Sequence, residues 1–520
     1  MARFRYYVHS MISGYAAMGA NTLYTLCSVP LALSYLSPAQ FGLWALATQI
    51  TTYLALIDFG ITGATARILV DYKDESKGFS GILQAATLVN IAQGLLVLCV
   101  GAVAATVMGP VFGVPDGMHN VFSYLILGHC TILGGTFALR IFPQALIAQQ
   151  RADIGNCIQI AGFIASYGVL WICFELRMGV YSVVAAQAVS LVLTTSAQAI
   201  ACSKLGLLPR IHLWVRPDWR KFRELFTYGS DVFVFALGSQ LVNASQIIII
   251  SRTLGLEAAA VWSICTRSLT LMIQFVGRVL DFAAPPLFEM FVRGEVERLL
   301  QRFRGVTIFS QSLAVCVAAL FVSCNQTFVS LWVGRKFTWP VSNDILLGVW
   351  FVLFTVQRCY VGSLGITKQL KVIKYVYLAE GLVFVILSLT VIRWAGLAGV
   401  IASSIFCTVC FTMAYGVTRT RRYFKLSVRL LLSGWFAPTF RTLALIVPFT
   451  AGISVITADW NDPVKLVLRG AVVSCGAAIL LWRLGITREM QTEIMHRSPS
   501  AIRTGLALAL RPLGMQSSRK

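Results

Sequence analysis

Apolar runs of about 20 residues or more recur along the whole chain, each closed by a short polar interval, and a helix of that length spans the hydrocarbon core of a bilayer. Residues 41–71, FGLWALATQITTYLALIDFGITGATARILVD, are one such run. Hydropathy and turn residues predict about fourteen spans: 9–36, 41–70, 82–109, 120–148, 154–176, 180–203, 226–252, 258–288, 305–332, 344–367, 372–393, 395–418, 439–458 and 464–484. Ser37-Pro38, Gly109-Pro110, Val114-Pro115-Asp116-Gly117 and Asp462-Pro463 punctuate the breaks. The expected fold class is all-α, a polytopic membrane protein.

Composition agrees. The chain is 57% hydrophobic and 12% charged, where a soluble domain carries about 25% charged residues. Little mass is left to stand outside the membrane. The thirteen cysteines fall mostly within apolar runs, where thiols act as small hydrophobes. Cys407 and Cys410 spell C-x-x-C, but inside a span, with no second pair and no nearby histidine, which argues against metal or redox chemistry. Arg3 and Arg5 precede an apolar stretch that runs on to Leu36 without a clear cleavage site, so it is expected to be retained as the first span.

The net charge of +22 sits in loops and tails, without the interleaved aromatics of a nucleic-acid surface. It sorts by loop parity. The N-terminus and the loops after even-numbered spans hold Arg3, Arg5, Lys73 and Lys77, Arg210 to Arg223, Arg293 to Arg304, and Arg419 to Arg429. The other side holds only Arg177, Arg252, Arg335, Lys336, Arg393 and Lys465. Cytoplasmic loops carry the excess of Lys and Arg, so both termini are expected inside. The tail 485–520 is basic and fits either anionic lipid or a disordered segment.

The chain also repeats at an offset of 218 residues. Leu36 and Trp44 match Leu254 and Trp262, Thr48 matches Thr266, and Leu146 matches Leu364. After a one-residue gap, Gly179 aligns with Gly396 and Val183-Val184-Ala185 with Val400-Ile401-Ala402. Two parallel six-helix lobes around a central cleft follow, since repeats of this kind place substrate sites at their interface. The expected division is 1–203 for the first lobe, 204–225 for a basic linker, 226–418 for the second lobe, 419–438 for a basic segment, 439–484 for two additional helices and 485–520 for the tail.

Polar positions inside the spans are the candidate chemistry. Asn21, Thr25 and Ser28 in span one map at the repeat offset onto Ser239, Asn243 and Gln246 in span seven, and spacings of four and three put each trio on one helical face. They line a wet cleft or hydrogen-bond neighbouring helices. Span eight carries Ser263, Arg267, Thr270, Gln274, Arg278 and Asp281 in a narrow sector. Arg267 and Arg278 stand about three turns apart. They either neutralise Asp58, Asp281 or Glu380, or bind an anion, for which the planar guanidinium fork suits phosphate. Asp58, within span two, costs roughly 2.5–3.5 kcal/mol if charged and unpaired in lipid, so it either caps a turn before Gly60 or serves as an ion or charge-pair site. Arg140, before Gln144, Arg358, before Ser363, and Arg67 lie near cytoplasmic ends, where arginines snorkel.

The segments Leu36-Ser37-Pro38-Ala39-Gln40-Phe41-Gly42-Leu43-Trp44 and Leu56-Ile57-Asp58-Phe59-Gly60-Ile61, with Arg67, make span two resemble that of bacterial polysaccharide exporters. These form the O-antigen and exopolysaccharide flippase branch of the multidrug/oligosaccharidyl-lipid/polysaccharide superfamily. Gly396-Leu397-Ala398-Gly399-Val400-Ile401-Ala402 resembles the family's glycine-rich opening of span twelve. The resemblance implies two six-helix lobes with alternating access and a lipid-linked oligosaccharide as substrate, its pyrophosphate and sugar held by basic cavity residues. That role maps onto Arg267 and Arg278.

The expected function is therefore a flippase for undecaprenyl-pyrophosphate-linked repeat units in the inner membrane. Membrane lipids, a polysaccharide polymerase and export machinery are its expected partners, with no nucleic acid. A cation-coupled multidrug antiporter of the same fold is the nearest alternative, kept open by Asp58, Asp231 and Asp281. A membrane-embedded polymerase or ligase is another, but it needs a large outward loop that this chain lacks. No P-loop, HExxH or metal-spaced His/Cys set is present, so no cofactor is expected. Coupling to an H+ or Na+ gradient is the energy source left open.

Overall fold

The computed structural model describes residues 2–62, 65, 69, 76–149, 151–207, 233–367 and 372–497. Arg67, most of the 204–225 linker and the end of the basic tail lie outside them. Among the described residues all regular structure is helical. Twelve helices are long and apolar enough to cross a membrane. One of these, Ile373–Tyr423, has 51 residues and folds at Gly396, whose φ of 56° and ψ of −139° end one helix and begin another. The glycine-rich segment thus separates spans eleven and twelve, because a left-handed backbone favours glycine. With this division, and with Pro38–Leu54 as the start of span two, each of the fourteen expected spans has a helical counterpart.

Four expected spans are not continuous helices among the described residues. Span two runs as Pro38–Leu54, tightens into a 3-10 turn over Ala55–Asp58, and breaks at Phe59 (φ 48°) and Gly60 (φ 73°). Span four is His119–Leu139 and Ile141–Ala148, interrupted at Arg140. Span seven turns at Ala244, before the helix Ser245–Leu254. Span eight is Leu256–Cys265 and Arg267–Val292, interrupted at Thr266.

The chain forms two compact units. The first comprises Met1–Leu271, Phe328–Leu346 and Leu370–Thr412. Its principal core joins Leu43, Leu46 and Ile50 to Val97, Phe122, Leu125, Phe137 and Leu256. Ser37 caps the helix Pro38–Leu54 through a reciprocal box with Gln40, which fixes where span two begins. A Cβ on Gly42 would stand 1.9 Å from the Leu256 carbonyl oxygen, so this glycine lets two helices meet backbone to backbone. Gly238 does the same against Tyr377, where a Cβ would come within 2.4 Å of the carbonyl carbon. Small residues at such crossings are how membrane helices approach without a hydrophobic force between them.

The second unit comprises Met272–Thr327, Leu347–Gln369 and Met413–Lys520. Its core gathers Leu287, Phe303, Val356, Tyr360, Leu426 and Trp435. Trp435 is 1% exposed and packs on Phe303 and Tyr360 with ring centroids 5.5 and 6.2 Å away. The helix Ala437–Ile456 begins beside it, and Thr439 donates to Gln311 Oε1 at 3.1 Å. The first of the two added helices is thus built into this unit. The second, Asp462–Leu480, fully buries only Val473.

Candidate site in the membrane-spanning region

Arg267 opens its helix just past the turn at Thr266, which Trp262 steadies by accepting the Thr266 N–H at 3.0 Å. Trp262 itself is buried edge-on against Trp339, centroids 5.8 Å apart. From this fixed point Arg267 Nη2 reaches Thr25 Oγ1, a long contact of 3.5 Å between residues 242 apart in sequence. Its Nε is buried without a hydrogen-bond partner. Among the described residues it has no carboxylate partner.

The surroundings of Thr25 are equally well held. Trp332 donates its indole N–H to the Leu26 carbonyl at 2.8 Å. Tyr24 stacks on Phe163 and accepts from Ser166 Oγ at 3.3 Å. A pre-positioned cation with spare donor capacity is what an anionic group needs in a membrane interior.

Two of the acids that could have neutralised Arg267, Asp58 and Asp281, are paired with other arginines. Asp58 accepts from the N–H and hydroxyl of Thr62 at 3.2 and 2.7 Å, and so caps the helical restart beyond Gly60. It also pairs with Arg140 Nη1. Arg140 is buried, donates Nε to Asn90 at 2.8 Å and Nη2 to Gln93, and lies over the Phe137 ring. Gln93 in turn donates to the Ile57 and Asp58 carbonyls at 2.8 and 3.0 Å. Asp58 is thus bonded both to Arg140 and to Thr62, beyond Gly60 rather than before it. Asp281 pairs with Arg358 at 3.0 Å. Glu380, in the first unit, is buried; its Oε1 accepts from Thr408 at 3.4 Å and its Oε2 has no hydrogen bond.

The remaining sequence-predicted residues are less concentrated. Thr25 and Ser28 are buried and Asn21 is half-buried. Asn243 is exposed and donates to the Ser239 carbonyl at 2.9 Å, while Gln246 reaches Ser404 at 3.4 Å. The two trios therefore differ in setting. Gln274 and Arg278 are exposed. Arg278 has neither a hydrogen bond nor an ion pair among the described residues. Sequence reading missed Asn90 and Gln93; two amides three residues apart in an apolar helix were the available signal.

The family model described as polysaccharide biosynthesis protein matches residues 10–292, more than half of the chain. No curated protein sequence matches the chain. The lipid II flippase MurJ, in an inward closed conformation, is similar over 92% of this chain and 99% of its own, with TM-score 0.68 and 12% identity. An inward-facing multidrug resistance MATE family transporter of the MOP superfamily covers 78% of this chain and 96% of its own, with TM-score 0.62 and 12% identity. A point mutant of the Vibrio cholerae MATE transporter VcmN reaches TM-score 0.55 at 12% identity over 81% of this chain and 98% of its own. At such identities the likeness establishes the fold alone. The chain is a multi-pass integral membrane protein that belongs to the polysaccharide biosynthesis protein family.

Proposed function

We propose that the protein is a flippase that carries undecaprenyl-pyrophosphate-linked oligosaccharide repeat units across the bacterial inner membrane by alternating access, for exopolysaccharide or O-antigen assembly. The observation that carries this reading is Arg267, a half-buried guanidinium with a buried, unbonded Nε and no carboxylate partner among the described residues. A bulky anionic headgroup crosses apolar lipid only at prohibitive cost, and a cation held ready inside the membrane lowers it. Thr25 supplies a hydroxyl at the same place, and Arg278 a further exposed guanidinium. Asn21, Gln274, Asn243 and Gln246 serve as additional polar contacts for sugar. The termini are cytoplasmic, and a polymerase and export machinery receive the product.

Of the three acids that keep a drug antiporter of this fold open, Asp58 and Asp281 are each held by an arginine and Asp231 lies outside the described residues. Glu380 keeps one carboxylate oxygen unbonded and is the group we assign to coupling with an H+ or Na+ gradient. In a strain lacking the gene, Arg267→Ala should abolish polysaccharide export while the protein remains in the membrane. Arg267→Lys should restore it only in part, because lysine keeps charge but loses the fork. Full export with Arg267 and Arg278 both changed to Gln would reject the proposal.

A further inference from the structure

Arg140 and Arg358 stand one repeat period of 218 apart, and each bonds a carboxylate on the second helix of its own half. They are held very differently. Arg140 is 8% exposed and uses Nε, Nη1 and Nη2 on three side chains. Arg358 is 37% exposed, its partner Asp281 is 49% exposed, and a single bond from Nη2 to Oδ1 of 3.0 Å joins them. The Arg358 guanidinium lies across Gly277, where a Cβ would come within 2.5 Å of Nη1 and 2.9 Å of Cζ. Arg278 follows directly, exposed and without a partner among the described residues. Gly277 and Asp281 are four residues apart and Arg278 and Asp281 three, so all face the same stretch of helix surface. Within the second unit, Asp281 is bonded by Arg358, and Arg278 lies about one helical turn before it on the same helix.

We propose that Arg358 is a second anion ligand, kept in place by Asp281 until a pyrophosphate group engages Arg278 and takes Arg358 over. The inference rests on the flippase assignment and deepens it. An exposed ion pair is weak, whereas a guanidinium fork on phosphate makes paired, charge-assisted hydrogen bonds. The exchange therefore gives Arg358 two charge-assisted bonds for the single one it makes to Asp281. It is closed to Arg140, whose release would strand a buried charge. Gly277 is what gives Arg358 room to lie flat and swing: any larger residue would push the guanidinium off the helix.

The test uses the purified full-length protein in nanodiscs, titrated calorimetrically with inorganic pyrophosphate. Arg358→Gln should weaken binding by about tenfold or more, the loss expected for one charge-assisted hydrogen-bonded contact. Asp281→Asn should tighten it, by up to about fivefold, because the competing carboxylate is gone. A misfolded variant cannot mimic that gain. Unchanged binding by Arg358→Gln, or no pyrophosphate binding at all, would overturn the inference. So would equal weakening by both variants with recovery in Arg358→Asp/Asp281→Arg, which would make the pair purely structural. If export still depends on Arg267 while Arg358→Gln binds like wild type, the flippase assignment stands and this inference alone falls.

Discussion

Arg140 bonds Asp58 across 82 residues of sequence, and the pair fastens the broken end of span two to span four inside the first unit. Asn90 and Gln93 complete the guanidinium's hydrogen bonding, so the charge is enclosed and satisfied together. Removing one member leaves the other buried and uncompensated, at a cost of roughly 3–5 kcal/mol. Asp58→Ala should therefore lower thermal stability in detergent far more than Asp281→Ala, whose partner is half-exposed. Combining Asp58→Asn with Arg140→Gln should recover part of the loss. Equal melting temperatures for the two single alanine variants would show that the Asp58 pair is not structural.

Gly42 offers a steric test of the helix crossing. A side chain there meets the Leu256 backbone, which cannot rotate away. Gly42→Val should yield little monodisperse protein in fluorescence-detected size exclusion. Gly19→Ala, in a helix where a Cβ would find nothing within 4 Å, should behave as wild type. A well-folded Gly42→Val protein would contradict the close approach.

The added C-terminal helices should respond unequally to mutation. Trp435 fills the second unit's core, and truncating a buried aromatic costs about 3–5 kcal/mol. Trp435→Ala should destabilise strongly, whereas Val467→Ala, on the outer surface of the last membrane helix, should change the melting temperature little. The reverse order would place the last helix, not its predecessor, in the structural core.

Orientation is open to cysteine labelling in a Cys-depleted background. The sorting of Lys and Arg by loop parity expects Gly113→Cys to react from outside the cell and Glu295→Cys only after permeabilisation. The opposite pattern would invert the protein.

Helix positions and the boundary at Gly396 were legible because they are local. Apolar run length and a glycine-rich break carry them. The partners of the charges were not legible. Asp58, Glu380 and Asp281 were all open to Arg267 from sequence, and only the packing of helices assigns Arg140 and Arg358 to two of them. The break in span two was foreshadowed by Gly60, yet its apolar neighbours hid it: hydropathy registers burial in lipid, not backbone conformation. The two polar trios looked equivalent because the repeat equates residue types. Their burial depends on neighbours that the repeat does not duplicate, such as Trp332 beside Leu26.

The most direct measurement is translocation of a fluorescent pyrophosphate-linked oligosaccharide by protein reconstituted in liposomes. Wild type should move it, and Arg267→Gln should slow it by about tenfold or more, as loss of a charge-assisted contact in a membrane interior requires. A lipid-linked sugar with a neutral linkage should gain nothing from Arg267, so both proteins should handle it at the same low rate. Equal translocation of the pyrophosphate-linked substrate by wild type and Arg267→Gln, with both proteins correctly inserted, would contradict the anion site at Arg267.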